Sequence, residues 1–333
     1  MSMKVLYIYR HPDMGFSIGR VFAPIEEAMR QSCDVDSLYL PSASYSLAGL
    51  YRNIRAAKNR CKSQKYDIVH ITGAEHYLLP FLTGENCVVT VHDIMYYSFL
   101  SGLKRWLWKF LFINSLKSAK RITFISEYSK HQLSEVMALN DNIMSVIPNS
   151  CSPDFEYIPK IFNFANPTIL HVGTFERKNL QRTIEAIAPF RCHLRIVGNV
   201  GDDVVSKLKI YNIDYSVVNN LTDEDILREY EACDIVNFPS TFEGFGMPIL
   251  EGQAMGRIVL TSNISPMKDI CGEGAVLVDP FSVDSIREGY KQIIESEELR
   301  SDILVKGRQN VANYTIDLVA NSYMNLYKSM LQA

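Results

Sequence analysis

The chain has 333 residues, of which 47% are hydrophobic and 21% charged, with 17 glycines and 13 prolines. These values are typical of a globular protein and exclude a disordered, collagen-like or low-complexity chain. The length suggests two domains, and the net charge of −3 argues against a nucleic-acid-binding protein.

No run approaches the roughly 18 uninterrupted apolar residues that a transmembrane helix needs. The short apolar run before Arg10 predicts a first strand rather than a signal peptide. The seven cysteines are scattered and include no C-x-x-C pair, so we expect reduced thiols in a cytoplasmic protein, without disulfides or a zinc site.

Short apolar runs alternate with helix-length amphipathic segments, which predicts two parallel sheets covered by helices on both faces. The first series of predicted strands covers 4–9, 67–72, 87–92, 121–126 and 144–149, with a further strand around Asp34–Asp36. The second series covers 168–173, 193–198, 215–220, 234–239, 257–262 and 275–280. The fold class is therefore α/β with two doubly wound, Rossmann-like domains, expected at 1–160 and 161–315 and followed by a helix at 316–333.

Ligands of such sheets bind beyond the carboxyl ends of the strands, so residues at those positions are candidates for function. Gly15 and Gly19 follow the first strand and could let backbone amides approach a phosphate, or could serve only a tight turn. His92 ends a strand and could contact a ligand hydroxyl, with Asp93 orienting its ring, or could be structural.

A second candidate segment lies after the first strand of the second series. Arg177 and Lys178 stand just before a helix and beside Gly173, which suits a clamp for a diphosphate. The alternative is a solvated pair of surface charges.

The most informative segment is FPSTFEGFGMPILEGQAMG at 238–256. A strand ends at Pro239, and a loop containing Gly244, Phe245 and Gly246 precedes a helix that Pro248 is expected to open. Backbone amides at such a helix start favour anions. Glu243 and Glu251 add two carboxylates, which suit the hydroxyl groups of a ribose and a sugar better than a phosphate.

The segment from Glu243 to Glu251 resembles the E-x7-E motif of retaining glycosyltransferases of family 4, which have the GT-B fold of two Rossmann-like domains facing a cleft. Four further segments resemble the family's motifs and occur in the family's order: SEYSKHQL (126–133), VIPNSCSPDF (146–155), HVGTFERKNL (171–180) and SNISPMKDICGEGAVLVDP (262–280). The chain is identified from these motifs as a member of that family.

The resemblance implies a role for each matching residue. Glu251 would bind the ribose hydroxyls of a UDP- or GDP-sugar, and Glu243 would hold its sugar with the amides of Phe245 and Gly246. Arg177 and Lys178 would neutralise the leaving diphosphate, which Gly15 would approach from the other domain.

The resemblance further implies that His92 contacts the transferred sugar, that configuration is retained, and that neither a metal nor another cofactor takes part. The C-terminal helix would pack back on the N-terminal domain. The sequence departs from the family pattern at four places: the proline before Arg177 is missing, Gly252 replaces an alanine, Ser150 replaces a glycine, and Asn219–Asn220 replaces a glycine.

The N-terminal half carries a net charge of +4 and the C-terminal half −7. Two segments of the first half, 51–65 and 104–121, each have six basic residues and no acidic one. Aromatic side chains interleaved with these charges suit an anionic membrane surface. The residues assigned to this membrane or acceptor side are Arg52, Arg55, Lys58, Lys62, Trp106 and Trp108. The alternative is a solvated helix followed by a helix whose aromatics belong to the core.

These observations predict a hexosyltransferase of bacterial surface polysaccharide synthesis, such as O-antigen or capsule. Its partners would be a nucleotide-sugar and a saccharide acceptor linked to a lipid. It would be a cytoplasmic protein, peripheral at the inner face of the plasma membrane. Three alternatives remain: a sugar-nucleotide epimerase or hydrolase, a non-catalytic sugar-nucleotide-binding protein, and a dinucleotide-dependent oxidoreductase, the weakest because no G-x-G-x-x-G follows a strand.

Overall fold

The computed structural model describes residues 2–14 and 17–332. The chain forms two compact units, Met1–Ser150 together with Ile316–Ala333, and Cys151–Thr315. Each unit contains one six-stranded sheet in which every pair of neighbouring strands is parallel. This confirms the predicted α/β class with two doubly wound sheets.

The first sheet has the order β2-β1-β3-β4-β5-β6. Its strands are β1 Lys4–Tyr9, β2 Asp34–Tyr39, β3 Ile68–Ile71, β4 Cys87–Val91, β5 Arg121–Phe124 and β6 Met144–Val146. Its helices are α1 Ser17–Arg30, α2 Leu47–Ser63, α3 Met95–Phe99, α4 Gly102–Trp108 and α5 Glu127–Val136. Strand β1 lies inside the sheet and is almost wholly buried, as its continuous apolar sequence predicts.

The second sheet has the order β12-β11-β10-β7-β8-β9. Its strands are β7 Thr168–Val172, β8 His193–Val197, β9 Asp214–Val218, β10 Ile235–Phe238, β11 Ile258–Ser262 and β12 Val276–Val278. Its helices are α6 Leu180–Ile187, α7 Asp202–Ile210, α8 Asp223–Ala232, α9 Met247–Ala254, α10 Met267–Ile270, α11 Val283–Glu295 and α12 Glu297–Val311. Thr222 caps α8, and Asp225 completes a capping box with it.

The last helix, α13 Ile316–Gln332, belongs to the first unit and lies against α1. Its buried face includes Tyr323 and Tyr327, which pack with Tyr7 and Phe22. The Tyr327 hydroxyl lies 2.6 Å from Nδ1 of the buried His70. The helix therefore covers one face of the first sheet.

The boundary between the units differs from the predicted one at 160/161, because 151–160 lies in the second unit. The Cys151 amide donates a hydrogen bond to the Tyr314 carbonyl at 2.8 Å. The Arg257 guanidinium donates to the Ile158 carbonyl at 2.9 Å. Both hydrogen bonds join 151–160 to residues distant in sequence. The composition of the segment does not indicate these contacts.

Candidate functional site

The strongest sequence candidate, the loop between β10 and α9, lies at the carboxyl edge of the second sheet. Gly246 precedes α9 with φ +125°, a conformation that side chains disfavour. Helix α9 begins at Met247, so Pro248 is its second residue rather than its first. Among the described residues, the amides of Phe245 and Gly246 have no hydrogen-bond acceptor. These amides stand at the positive end of the α9 dipole and can receive an anion or an oxygen ligand.

Phe245 anchors this loop instead of facing solvent. Its side chain is buried and packs edge-on against the Tyr314 ring, with centroids 6.0 Å apart. This packing holds the backbone of the loop in place.

Lys178 and Glu243 form an ion pair within this site. The Lys178 Nζ lies 2.8 Å from Glu243 Oε1, and Arg177 Nε lies 3.9 Å from the same oxygen. Burial lowers the pKa of Lys178, and the charge of Glu243 opposes that effect. Glu243 Oε1 has no other hydrogen-bond donor among the described residues. The Lys178 ammonium and the Glu243 carboxylate thus lie beside the amides that precede α9, and each can form further hydrogen bonds with a ligand.

The backbone at Gly173 makes room for this lysine. Gly173 has φ +90°, and a Cβ built there would lie 3.3 Å from Lys178 Cε. The Lys178 ammonium also lies 4.4 Å from the centre of the Phe238 ring. The aliphatic stem is therefore enclosed, and only the charged end can turn towards a ligand.

The two loops of the site are joined by Asn179 and Thr241. Asn179 adopts a left-handed conformation, and its side-chain amide donates to the Pro239 and Pro280 carbonyls at 2.9 Å and 2.6 Å. The Thr241 amide donates to the Arg177 carbonyl at 2.8 Å. The sequence analysis did not identify these positioning residues, although Asn179 directly follows the Arg-Lys pair.

Glu251 lies on α9, where the Tyr230 hydroxyl donates a short hydrogen bond to its Oε2. Tyr230 is fully buried in α8, and the ring packs edge-on against Phe155. The tyrosine thereby fixes the orientation of the Glu251 carboxylate. Nothing in the spacing of the two residues along the chain indicated this contact.

The structure explains two of the departures from the family pattern, and both exchange glycine with another residue. A Cβ at Gly252 would lie 2.9 Å from Val236 Cγ2 and 3.0 Å from Val259 Cγ2, so α9 packs too closely on the sheet for alanine. Asn220, in the place of a glycine, has φ +53°, which asparagine tolerates better than most residues.

His92 lies just beyond β4, in the first unit. Its Nε2 lies 2.8 Å from the Thr72 carbonyl, which assigns the proton of neutral His92 to Nε2. Burial lowers the pKa of His92, and the Thr72 carbonyl opposes this. Asp93 was expected to orient the ring, but its Oδ1 instead accepts a hydrogen bond from the Met95 amide at 3.0 Å. Gly15, assigned to the diphosphate, lies outside the described residues.

Two family models cover most of the chain. The model described as "Glycosyltransferase Family 4" matches residues 21–155, and the model described as "Glycosyl transferases group 1" matches residues 155–310. The chain belongs to the group 1 glycosyltransferases of family 4.

Relatives of this glycosyltransferase include O-antigen chain mannosyltransferase B of Escherichia coli, 27% identical over 73% of this chain and 70% of the relative. O-antigen chain mannosyltransferase RfbU of Salmonella typhimurium is 26% identical over 73% of this chain and 69% of the relative. Among solved structures, Anabaena Alr3699/HepE in complex with UDP and glucose has a TM-score of 0.79 at 15% identity, covering 98% of this chain and 100% of the other. The fold of the glycosyltransferase is GT-B.

The basic residues predicted for the acceptor side of the glycosyltransferase have different environments. Arg55, Lys58 and Lys62 line a groove of the first unit, whereas Arg52 reaches the Ser42 hydroxyl at 3.4 Å. Trp106 is exposed and stacks on Phe110, with ring centroids 5.9 Å apart. Trp108 stacks on Phe112 at 3.8 Å and is partly buried against the core, as the alternative of a helix with core aromatics expects.

The sequence analysis also missed a group of buried polar residues after β3. Glu75 and His76 are buried, and no side-chain oxygen or nitrogen of either residue has a hydrogen-bond partner among the described residues. Burial raises the pKa of Glu75 to about 7, although Arg10 opposes the shift. Burial lowers the pKa of His76 to about 4. Only tertiary burial distinguishes these side chains from ordinary surface residues.

The described residues contain neither a cluster of metal ligands nor a membrane-spanning helix. No group of three or more histidine, cysteine, aspartate or glutamate side chains is arranged to hold a metal ion within 2–14 and 17–332. In the same part of the chain, no helix combines the length and apolar character needed to cross a bilayer.

Proposed function

We propose that this glycosyltransferase transfers a hexose-type sugar from a UDP- or GDP-sugar to a saccharide, with retention of configuration and without a metal ion. The observation that carries the proposal is the meeting of Lys178, Glu243 and the amides before α9 at one sheet edge. A cation with nearby amides suits a diphosphate, and a carboxylate suits sugar hydroxyls.

In this proposal, Lys178 and Arg177 stabilise the negative charge that develops on the leaving diphosphate. Glu243 restrains Lys178 before the donor arrives and binds sugar hydroxyls afterwards, together with the amides of Phe245 and Gly246. Glu251, oriented by Tyr230, accepts hydrogen bonds from the ribose hydroxyls. His92, protonated at Nε2 and held by Thr72, presents Nδ1 as an acceptor for the transferred sugar.

The relatives support a role in bacterial surface polysaccharide synthesis, since two of them are named O-antigen chain mannosyltransferases. The solved structure with UDP and glucose is 15% identical to this chain and shares its fold, so the donor nucleotide stays open between UDP and GDP. We propose a lipid-linked saccharide as the acceptor, which requires the protein to work in the cytoplasm at the inner face of the plasma membrane.

The first test is calorimetric titration with UDP and with GDP, both in the presence of EDTA. We expect one of them to bind, and Lys178→Ala to weaken that binding about tenfold or more by removing a charge-assisted contact. Turnover of the matching nucleotide-sugar should fall by about two orders of magnitude or more. Lys209→Ala, an exposed lysine of α7, is the matched control.

Three outcomes would contradict the proposal. Full activity of Lys178→Ala would exclude the diphosphate role. Binding of neither nucleotide under EDTA would contradict a metal-independent donor site. Release of free sugar at a rate independent of any saccharide would favour the hydrolase alternative.

The membrane part of the proposal is supported by the exposed face of α4 and the residues after it. Leu103, Trp106 and Phe110 are 71%, 61% and 58% exposed, an arrangement that leaves large apolar side chains facing water. Lys104 and Arg105 accompany them, and no acidic residue occurs between Asp93 and Glu127.

Flotation with vesicles containing anionic lipid tests this part. We expect the wild type to float and the double variant Lys104→Glu with Trp106→Ser to float markedly less, since each cation near the surface contributes about 1 kcal/mol. Lys65→Glu, an exposed charge reversal beyond the end of α2, should float as the wild type does. Equal flotation of wild type and double variant would exclude this face as the docking surface.

A further inference from the structure

A groove of about 840 Å³ lies in the first unit, and His92 is not among the residues that line it. One wall is helix α2, and the opposite wall is formed by the helical segments 76–81 and 109–115. All these segments belong to one compact unit and lie within the described residues.

The groove has an apolar lining that is open to solvent. Tyr51, Phe81 and Phe110 line it and are 63%, 47% and 58% exposed. Leu47, at the start of α2, is 86% exposed. Apolar side chains exposed in one concave site point to an apolar occupant.

The same groove carries three cations and no acid. Arg55, Lys58 and Lys62 line it, and none forms an ion pair with a described acidic side chain. The lining contains no aspartate or glutamate. By contrast, the neighbouring Arg60 pairs with Asp36 at 3.5 Å, so its charge is already used within the fold.

Apolar and cationic residues are separated along the helix. Leu47 and Tyr51 occupy its first turns and Lys58 and Lys62 its last, and the helical rise places Leu47 and Lys62 about 22 Å apart. A ligand that complements both the apolar and the cationic end of the groove has a hydrocarbon chain at one end and a negative charge at the other. A flat bilayer surface would not need such a concave, polarised site.

We propose that this groove binds the lipid end of the acceptor: a single hydrocarbon chain along Leu47, Tyr51 and Phe110, and its phosphate group at Arg55, Lys58 and Lys62. The proposal rests on the lipid-linked acceptor of the proposed function. The groove would hold the lipid while the attached saccharide remains outside it.

The test is calorimetric titration with monomeric dodecyl phosphate, below its micelle concentration and without vesicles. We expect binding with a stoichiometry of one, weakened at least tenfold in the double variant Arg55→Glu with Lys58→Glu. Tyr51→Ser, at an exposed position, should weaken it several-fold, and Lys65→Glu and Leu331→Ala are controls outside the groove that should bind as the wild type does. Dodecyltrimethylammonium, with the same chain and the opposite charge, and inorganic phosphate, with no chain, should bind at least tenfold more weakly.

Equal binding of dodecyl phosphate to wild type and double variant would overturn the proposal, as would equal binding of the cationic amphiphile or of inorganic phosphate alone. Titration of every variant with UDP and GDP separates this failure from that of the proposed function. If the nucleotide binds and dodecyl phosphate does not, the groove assignment is wrong and the transferase assignment is retained. If dodecyl phosphate binds and neither nucleotide does, the groove is a lipid site but its assignment to an acceptor is wrong.

Discussion

At the scale of single residues, the donor site depends on charged groups whose partners come from other elements. Lys178 has a side chain only 13% exposed and loses most of its hydration, which would be costly without Glu243 at 2.8 Å. Glu251 in turn depends on the buried Tyr230 hydroxyl. The site is therefore prearranged before a ligand binds, which reduces the ordering needed at binding.

Tyr230→Phe tests this prearrangement. The substitution keeps the ring that packs on Phe155 and removes only the hydroxyl, so we expect a folded protein. Affinity for the matching nucleoside diphosphate should fall about five- to thirtyfold, since one hydrogen bond to a charged group contributes about 1 to 2 kcal/mol. Titration measures this change.

The matched control for Tyr230→Phe is the 2′,3′-dideoxy form of the same nucleotide. It lacks the hydroxyls that Glu251 is proposed to bind, so wild type and Tyr230→Phe should bind it equally. An equal loss of affinity for both nucleotides would assign Tyr230 to the stability of the site rather than to the orientation of Glu251.

At the scale of elements, α9 must lie close to the sheet for its first turn to present amides at the strand edge. Gly252 permits this approach, because its missing side chain leaves space for Val236 on β10 and Val259 on β11. The same helix carries Glu251, so the packing of Gly252 on the sheet also sets the position of the Glu251 carboxylate.

Gly252→Ala should destabilise the second unit by about 1 to 3 kcal/mol, because the added methyl group overpacks the helix–sheet contact. Thermal unfolding checks this. Gly19→Ala, in α1, is the contrasting variant: a Cβ there meets no atom of the described residues within 4 Å, and alanine favours the helix by about 1 kcal/mol. A stable Gly252→Ala protein with unchanged nucleotide affinity would contradict the close packing described here.

At the scale of the whole molecule, burial of titratable groups makes stability depend on pH. Burial lowers the pKa of His70 and of His171 to about 3, so their contributions raise stability as the pH rises towards their unfolded value. Glu75 acts in the opposite direction. Its folded pKa of about 7 exceeds the ordinary 4.5, so the folded state binds more protons in this range and stability falls as the pH rises.

Glu75→Gln isolates this contribution, because the histidines remain in both proteins. Relative to wild type, the variant should gain stability progressively between about pH 4.5 and pH 7, by about 3 kcal/mol in total, and the gain should stay constant above that range. Denaturant unfolding at pH 5, 6, 7 and 8 measures it. A difference between the two proteins that does not change with pH would show that Glu75 titrates normally.

The sequence by itself determined the two α/β sheets and the family, because these depend on local periodicity and on short motifs. It also located the loop after β10 and the Arg-Lys pair, since glycine, proline and charge occur there in a fixed order.

Only the tertiary structure decided which of these residues meet. Lys178 and Glu243 are 65 positions apart, and their contact requires β7 and β10 to be neighbours in the sheet. The burial of Glu75, the hydroxyl of Tyr230 beside Glu251 and the transfer of 151–160 to the second unit likewise depend on residues far away in sequence. The groove beside α2 also depends on the tertiary structure. The sequence of α2 shows which of its faces carries the cations, but not that the segments 76–81 and 109–115 lie opposite that face.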